Sequence, residues 1–295
     1  MKKIRTTKAI ITIATIILSS FSNLLADRLI VGIIEQNFNN WDIDTINPFD
    51  IRVAFEKKNN EWKSFPTDFQ PPNNCLPYYP KTLDWTICFN GKEIGKIKSI
   101  LPETIDYYKD IGIHYIKNMN DVPRLGKPSE DFSGWIDKPV YRPIVVCTSS
   151  SCQDLEKWKP YVPSKMDISK ALSVATTELL KDTTVDIYKK YKLEKSYKSI
   201  NDKLICITID NKVETNADTS DFAESKTGNN QYAWFLLSNS KCRYLKSNMR
   251  LIDAGDYDND GKVEVVFKIE EYDHDGYVLY YDGFQKNSEF YWIYH

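Results

Sequence analysis

Short apolar runs separated by turn-forming residues recur along the whole chain, and this pattern limits the fold more than any other feature of the sequence. Runs of about four to eight residues rich in β-branched and aromatic side chains are typical of strands, because such side chains fit a pleated surface. In the first half, strands are predicted at residues 29–34, 51–55, 85–89, 94–100 and 141–147. In the second half, they are predicted at residues 204–209, 232–237, 249–252, 263–269, 277–281 and 289–294.

Two turn signals refine this pattern. Asn90-Gly91 separates two of the predicted strands, and both residue types tolerate positive φ, so residues 85–100 are predicted to form a β-hairpin. Asp275-Gly276 carries the same kind of signal and is also predicted to be a hairpin turn.

One segment carries a strong helix signal. Ser164 stands three residues before Asp167, which resembles a capping box with Asp in place of Glu or Gln. Apolar residues then recur at helical spacing along one face, at Ile168, Ala171, Leu172, Ala175 and Leu179. This helix is expected to pack on a sheet.

The predicted fold class is therefore α+β, mainly antiparallel β-sheet with one main helix. The proline-containing connection at residues 159–163 divides the chain into a β-rich N-terminal region at 27–160 and a C-terminal α+β region at 161–295.

Residues 1–26 have the layout of a secretory signal peptide. Basic residues precede an apolar run at residues 9–18, and small and polar residues follow it. The run is half as long as the roughly 20 residues that a membrane-spanning helix needs, which favours a removed leader over a permanent anchor. Cleavage is expected after Ala26 or after Ser22, and no cysteine follows the run to carry a lipid. The mature protein is expected to be soluble, and periplasmic or secreted.

The charge balance argues against nucleic acid as a partner. Removal of residues 1–26 lowers the Lys+Arg count from 39 to 35 against 41 acids, which leaves a net charge of −6. A nucleic-acid-binding surface requires an excess of basic groups.

Six cysteines lie in the exported part, at positions 75, 88, 147, 152, 206 and 242. An oxidising compartment favours disulfides, and short loops close at the lowest entropic cost. The sequence therefore predicts Cys75 with Cys88 and Cys147 with Cys152, which leaves Cys206 with Cys242. A zinc site is the alternative, but Cys147 and Cys152 have no second ligand pair and no histidine nearby in the sequence.

The most informative motif is an acidic stretch at residues 256–264. Carboxylates fall at loop positions 1, 3, 5 and 9, and glycine stands at position 6, in the order Asp256, Asp258, Asp260, Gly261, Glu264. Calcium prefers six to eight oxygen ligands, and alternate side chains of a tightly curled loop converge on one point. Position 12 is Phe267, so the motif is not an EF-hand. The strand predicted at 263–269 places the loop in a β-hairpin.

Residues 254–265 resemble the calcium loop of FG-GAP/VCBS-type repeats, which run Gly-Asp-x-Asp-x-Asp-Gly before an acid and an apolar strand. The resemblance implies that calcium is held by the side chains of Asp256, Asp258, Asp260 and Glu264 and by the carbonyl of Lys262. Glu264 stands where those repeats usually have Asp. The sequence holds no second full copy, so a propeller built of such repeats is not expected. Residues 234–295, with Trp135 and residues 141–143, also resemble a group of exported bacterial proteins that has no assigned activity.

No catalytic motif of a known class is present. The histidines are His114, His274 and His295, and neither a zinc-binding helix nor a nucleophile elbow occurs. Ser238 and Lys241 have the Ser-x-x-Lys spacing but fall in a predicted turn. The expected function is a binding or envelope-associated module with a structural calcium loop, and its ligand would be a carbohydrate or a protein. Alternating aromatic residues at 277–281 and 290–294 would form the ligand surface if they were exposed. The favoured interpretation is that one face of these strands is core and the other is a half-covered sheet surface. The alternative is a secreted hydrolase whose acidic active site the sequence does not reveal.

Overall fold

The computed structural model describes residues 28–36, 49–67, 78–103, 111–123, 127–133, 139–179, 191–209, 231–271 and 274–293. The predicted signal peptide, Cys75, Trp135 and Tyr294 lie outside these ranges.

The described residues form strands, one α-helix and a short 3-10 turn. The strands before residue 150 are β1 (Ile30–Gln36), β2 (Phe49–Lys58), β3 (Glu61–Ser64), β4 (Thr82–Cys88), β5 (Glu93–Ile100), β6 (Ile113–Ile116), β7 (Ser129–Ser133), β8 (Pro139–Val140) and β9 (Ile144–Cys147). The later strands are β10 (Lys159–Pro160), β11 (Tyr191–Lys198), β12 (Asp202–Ile209), β13 (Gln231–Ser238), β14 (Lys241–Lys246), β15 (Met249–Gly255), β16 (Glu264–Glu270), β17 (His274–Tyr281) and β18 (Lys286–Ile293). The helix α1 is Lys165–Leu179 and the 3-10 turn is Met119–Asp121. The fold class is α+β and mainly antiparallel sheet, as predicted.

One of the two predicted turns is confirmed and the other is wrong. Strands β4 and β5 form the expected antiparallel hairpin, with φ of 51° at Asn90 and 65° at Gly91. Asp275 and Gly276 instead lie inside β17, where they pair with β16. A Cβ atom at Gly276 would lie 2.5 Å from the carbonyl oxygen of Phe290, so this glycine permits close approach of β18.

The N-terminal sheet closes on itself. Its strand order is β1-β9-β4-β5-β6-β2-β3, and β1 also pairs with β2. Six strands therefore form a closed ring, and β3 extends from the end of β2. The ladder between β5 and β6 is the shortest in the ring and consists of the pairs Ser99 with Ile116 and Ile100 with Tyr115.

The C-terminal half forms two further sheets. Strands β10 to β14 make a five-stranded sheet in sequence order, and β15 to β18 make a four-stranded meander. The meander is the central layer: Val266, Tyr277 and Phe290 face the closed sheet, whereas Val265 and Phe267 face the five-stranded sheet. The core against the closed sheet thus contains residues from both sides of position 160.

Polar contacts also join the closed sheet to the meander. Arg52 of β2 forms an ion pair with Glu35 at 2.5 Å, and its guanidinium lies 3.9 Å from the ring centroid of Trp292. The hydroxyl of Tyr277 donates to the same carboxylate at 2.5 Å. Glu35 is therefore a polar partner for both the Arg52 guanidinium and the Tyr277 hydroxyl, which lie in an otherwise apolar interface.

Helix α1 begins with the predicted capping box. The amide of Asp167 donates to the hydroxyl of Ser164 at 3.2 Å, and the amide of Ser164 donates to the Asp167 carboxylate at 3.1 Å. Ala171, Leu172 and Ala175 are buried against the five-stranded sheet, which confirms the expected helix-on-sheet packing.

The alternating aromatic residues of the meander do not form an exposed ligand surface, and the favoured interpretation that they belong to the core is correct. Tyr277 and Phe290 are fully buried on one face of the meander, and Tyr280 is buried on the other. The sequence pattern identified the two faces correctly but could not show that each face is covered by a different sheet.

The predicted disulfide pairing is also wrong. Cys88 is bonded to Cys152, 64 positions away, because β4 pairs with β9 and brings the two segments together. Cys147 is a free thiol. Cys206 and Cys242 are free as well, and they pack into cores on opposite faces of the five-stranded sheet.

A buried polar chain crosses the closed sheet. The indole N–H of Trp85 donates to the hydroxyl of Ser99 at 2.7 Å, and that hydroxyl lies 3.1 Å from Nδ1 of His114. His114 is fully buried, and burial lowers the pKa of His114 from 6.5 to about 4.

This histidine predicts a loss of stability in acid. Between pH 6.5 and 4 the unfolded chain binds a proton at His114 that the folded chain does not bind, so stability falls as the pH falls. The shift corresponds to about 3 kcal/mol of unfolding free energy across that window. Urea unfolding at a series of pH values measures it.

The variant His114→Gln removes this titration, so its stability should fall less than that of the wild type as the pH is lowered from 6.5 to 4. The matched control is His274→Gln, because His274 is a half-buried residue on the meander. Equal slopes for His114→Gln and the wild type would contradict the assignment.

Candidate metal centre

The acidic loop is the connection between β15 and β16, in the hairpin that the sequence predicted. Gly255 pairs with Glu264 across the base of the loop. Asn259 and Gly261 have positive φ values of 61° and 85°, which curl the loop tightly. The amide of Asp256 donates to the carbonyl of Gln153 at 3.0 Å, so the start of the loop is fixed to the segment that follows the Cys88–Cys152 disulfide.

Three of the predicted carboxylates converge. Oxygen atoms of Asp256, Asp258 and Asp260 all lie within 4.8 Å of one another. Backbone amides orient them: the Asp256 carboxylate accepts from the amide of Gly261 at 3.0 Å, and that of Asp260 accepts from Lys262 at 2.9 Å. Asp256 and Asp258 are buried, so their charges receive little compensation from water.

Glu264 lies deeper in the fold. Its side chain is 2% exposed, and its carboxylate accepts from the amide of Tyr257 at 2.8 Å. Burial, followed by the charge of Asp258, raises the pKa of Glu264 from 4.5 to about 9. Its carboxylate is not among the three that lie within 4.8 Å of one another. A fourth contact from Glu264 to an ion therefore stays a prediction.

The side chain of Lys262 pairs with an acid outside the loop. Its ammonium group lies 2.7 Å from the Asp282 carboxylate, and its side chain is 59% exposed. The contact expected from its carbonyl oxygen stays a prediction.

Sequence reasoning missed Lys57, which reaches the loop from the end of β2. Its ammonium group donates to Asp258 and, at 3.0 Å, to Asp260. Burial opposes the charge of Lys57, but the bonds to Asp258 and Asp260 outweigh burial and raise the pKa of Lys57. No local pattern could reveal this contact, because Lys57 and Asp258 are 201 positions apart.

The arrangement can neutralise and hold a cation. The three converging carboxylates carry more negative charge than the one ammonium group of Lys57 balances, and oxygen is the ligand atom that hard divalent cations prefer. Two carboxylates about 4 to 5 Å apart repel by about 1 kcal/mol even in water. A cation bound among them would remove this cost.

Comparisons with protein-family profiles, curated proteins and solved structures find no match to the chain. The resemblance of residues 254–265 to FG-GAP/VCBS-type loops therefore stays a prediction. No helix in the described part of the chain is long and apolar enough to cross a membrane.

A cleft that gathers acids away from residues 256–264 would favour the hydrolase interpretation. Among the surface hollows formed by described residues, one lies beside α1 and β14 and another beside β14 and β17. Each is lined by a single acid, Glu178 in the first and Glu61 in the second, so neither gathers the paired carboxylates that glycoside hydrolysis uses. Ser238 and Lys241 flank the β13–β14 turn, as expected.

The Lys57 contact predicts a change in stability in the absence of metal. Replacing Lys57 with Met keeps most of the side-chain volume but leaves Asp258 and Asp260 without their ammonium partner. Loss of one partner of a largely buried ion pair should lower the unfolding free energy by about 1 to 3 kcal/mol, measured by urea unfolding in the presence of a chelator.

Lys58→Met is the matched control, because the neighbouring Lys58 is 58% exposed and pairs with Glu56 outside the loop. It should change stability by less than about 1 kcal/mol. A Lys57→Met variant as stable as Lys58→Met would show that the acidic loop does not depend on the ammonium group.

Proposed function

We propose that this chain is an exported binding or envelope-associated module that holds one structural calcium ion in the loop at residues 256–264. The observation that carries the calcium proposal is the convergence of the Asp256, Asp258 and Asp260 carboxylates within 4.8 Å. The ligands would be these carboxylates, the carbonyl of Lys262 and the side chain of Glu264.

Calcium fits this donor set better than magnesium. Magnesium demands near-ideal octahedral geometry and gives up its water reluctantly, whereas calcium accepts more oxygens in an irregular arrangement. The three converging carboxylates belong to one short loop, and each of them already accepts a hydrogen bond from an amide of that loop. Such a loop can adjust to calcium with small movements.

The position of the loop supports a structural role. It contacts Lys57 of the closed sheet and Gln153, which follows the disulfide-bonded Cys152. It also connects two strands of the central meander. An ion there would strengthen the junction between these parts. The unfolded chain has no preformed site, so binding would stabilise the folded state.

Calcium is expected to raise the melting temperature of the mature protein. With a dissociation constant near 0.1 mM, which is typical of extracellular modules, about 1 mM calcium adds roughly 1.4 kcal/mol of stability. This corresponds to about 3 to 5 °C for a protein of this size. Differential scanning calorimetry with calcium, magnesium or chelator measures the shift, which should be much smaller with magnesium.

The variant Asp258→Ala should abolish the difference between calcium and chelator. Asp84→Ala is its control, because Asp84 is an exposed acid on β4 that pairs with Lys98 far from the loop. If calcium stabilised Asp258→Ala and Asp84→Ala equally, the ion would be acting elsewhere on the protein.

Export predicts a defined N-terminus. When the full chain is expressed in a bacterial host, the protein recovered from the periplasm or medium should begin at residue 27 or 23, as intact-mass analysis would show. Replacing Ile11 and Ile13 in the apolar run with Asp should keep the full-length precursor inside the cell, because a charged run does not engage the secretion machinery. Recovery of an uncleaved, unexported wild-type chain would contradict the export proposal.

A further inference from the structure

Three sulfur atoms meet beneath the acidic loop. Cys147 Sγ lies 3.5 Å from Cys88 Sγ and 3.9 Å from Cys152 Sγ, beside the disulfide that joins those two residues. All three side chains are at most 2% exposed. Thiol–disulfide exchange requires a thiolate close to one sulfur of a disulfide, and Cys147 is close enough to reach Cys88 Sγ after a rotation of its side chain.

We propose that Cys147 exchanges with this disulfide inside the folded protein, producing a second covalent form in which Cys88 is bonded to Cys147 and Cys152 carries the thiol. The Cys147 thiolate attacks Cys88 Sγ, which is the nearer sulfur. The Cys88–Cys152 bond breaks, and Cys152 leaves as a thiolate that takes up the proton Cys147 lost. One disulfide replaces another, so no oxidant or reductant is needed.

The surroundings make this exchange slow and intramolecular. Cys147 faces both sulfurs at similar distances, so its side chain must rotate into line with the bond before it attacks. Burial raises the pKa of Cys147 from 9 to about 11, so few molecules carry the thiolate at neutral pH. The buried cluster offers no access to a second protein, which separates it from the accessible disulfides of oxidoreductases.

Exchange would release the segment at residues 152–154, here called the strap, which contacts the acidic loop. Cys152 precedes Gln153, whose carbonyl accepts from the amide of Asp256, and Asp154, whose amide donates to Gly91. A Cβ atom at Gly255 would lie 2.7 Å from the carbonyl oxygen of Cys152, so strap and loop are in close contact. The present disulfide ties this strap to β4, and the second form does not. This consequence depends on the fold alone and not on the proposed calcium site.

Disulfide mapping of the full mature chain tests the proposal. The wild type is held folded at pH 9 and at pH 6, quenched with acid, alkylated and digested for mass spectrometry. We expect the Cys88–Cys147 peptide to accumulate faster at pH 9, with an unchanged total of free thiols and a rate independent of protein concentration. Thiolate formation increases about tenfold per pH unit below the thiol pKa.

Two variants isolate the two forms. Cys152→Ser should contain the Cys88–Cys147 bond, whereas Cys147→Ser should keep Cys88–Cys152 alone. Hydrogen exchange of the Asp256 amide should be faster in Cys152→Ser. Cys206→Ser serves as control, because this buried thiol lies in a different core and its loss should leave the wild-type map unchanged.

Several results would overturn the proposal. The wild type at pH 9 could keep Cys88–Cys152 alone, or Cys147 could be linked to Cys152 instead. New links to Cys206 or Cys242 would show exchange through unfolding. The wild-type measurement decides the matter even if Cys152→Ser does not fold.

Discussion

Burial of both faces of the four-stranded meander is the constraint on which the rest of the structure depends. Phe267 and Tyr280 point to one side and Tyr277 and Phe290 to the other, and none of the four is more than 4% exposed. Large aromatic side chains contribute about 1.5 to 3 kcal/mol each when they are fully buried. A sheet that is apolar on both faces requires two covering layers, which are the closed sheet and the five-stranded sheet. The helix then covers the outer face of the latter.

This layering sets the environment of the acidic loop. Because β15 and β16 are fixed between two layers, the loop that joins them is held against the end of β2 and against the strap at residues 152–154. Asp256 and Asp258 are consequently buried near one lysine, whereas Asp260 stays exposed to solvent. The electrostatic demand for a cation thus arises from the packing as much as from the acidic sequence.

Sequence patterns correctly predicted the turns and helix ends that are determined by residues close together in the chain. Asn90-Gly91 fixed a hairpin through backbone conformation, and Ser164 with Asp167 started the helix through hydrogen bonds three residues apart. The sequence did not predict β11 (Tyr191–Lys198), because this strand is rich in lysine and its residues are only partly buried. Edge and near-edge strands bury too little apolar surface to give a clear pattern.

Contacts between distant segments were beyond local reasoning. The disulfide prediction assumed that short loops close first, but the ladder between β4 and β9 places Cys88 beside Cys147 and Cys152 and overrides that preference. The same limit applies to Lys57, whose position at the acidic loop follows from the packing of β2. The three aspartates could be predicted as a candidate site, because their spacing within one curled loop brings them together, whereas Glu264 lies outside that group.

The most direct test of the central claim is calorimetric titration of calcium into the purified mature protein after treatment with a chelator. The account predicts one ion per chain, with a dissociation constant of about 0.1 to 1 mM. It also predicts loss of that binding in Asp258→Ala. An absence of calcium binding at millimolar concentrations in the folded wild type would contradict the account. The Lys57 ammonium group would then be the cation that balances the charge of the loop.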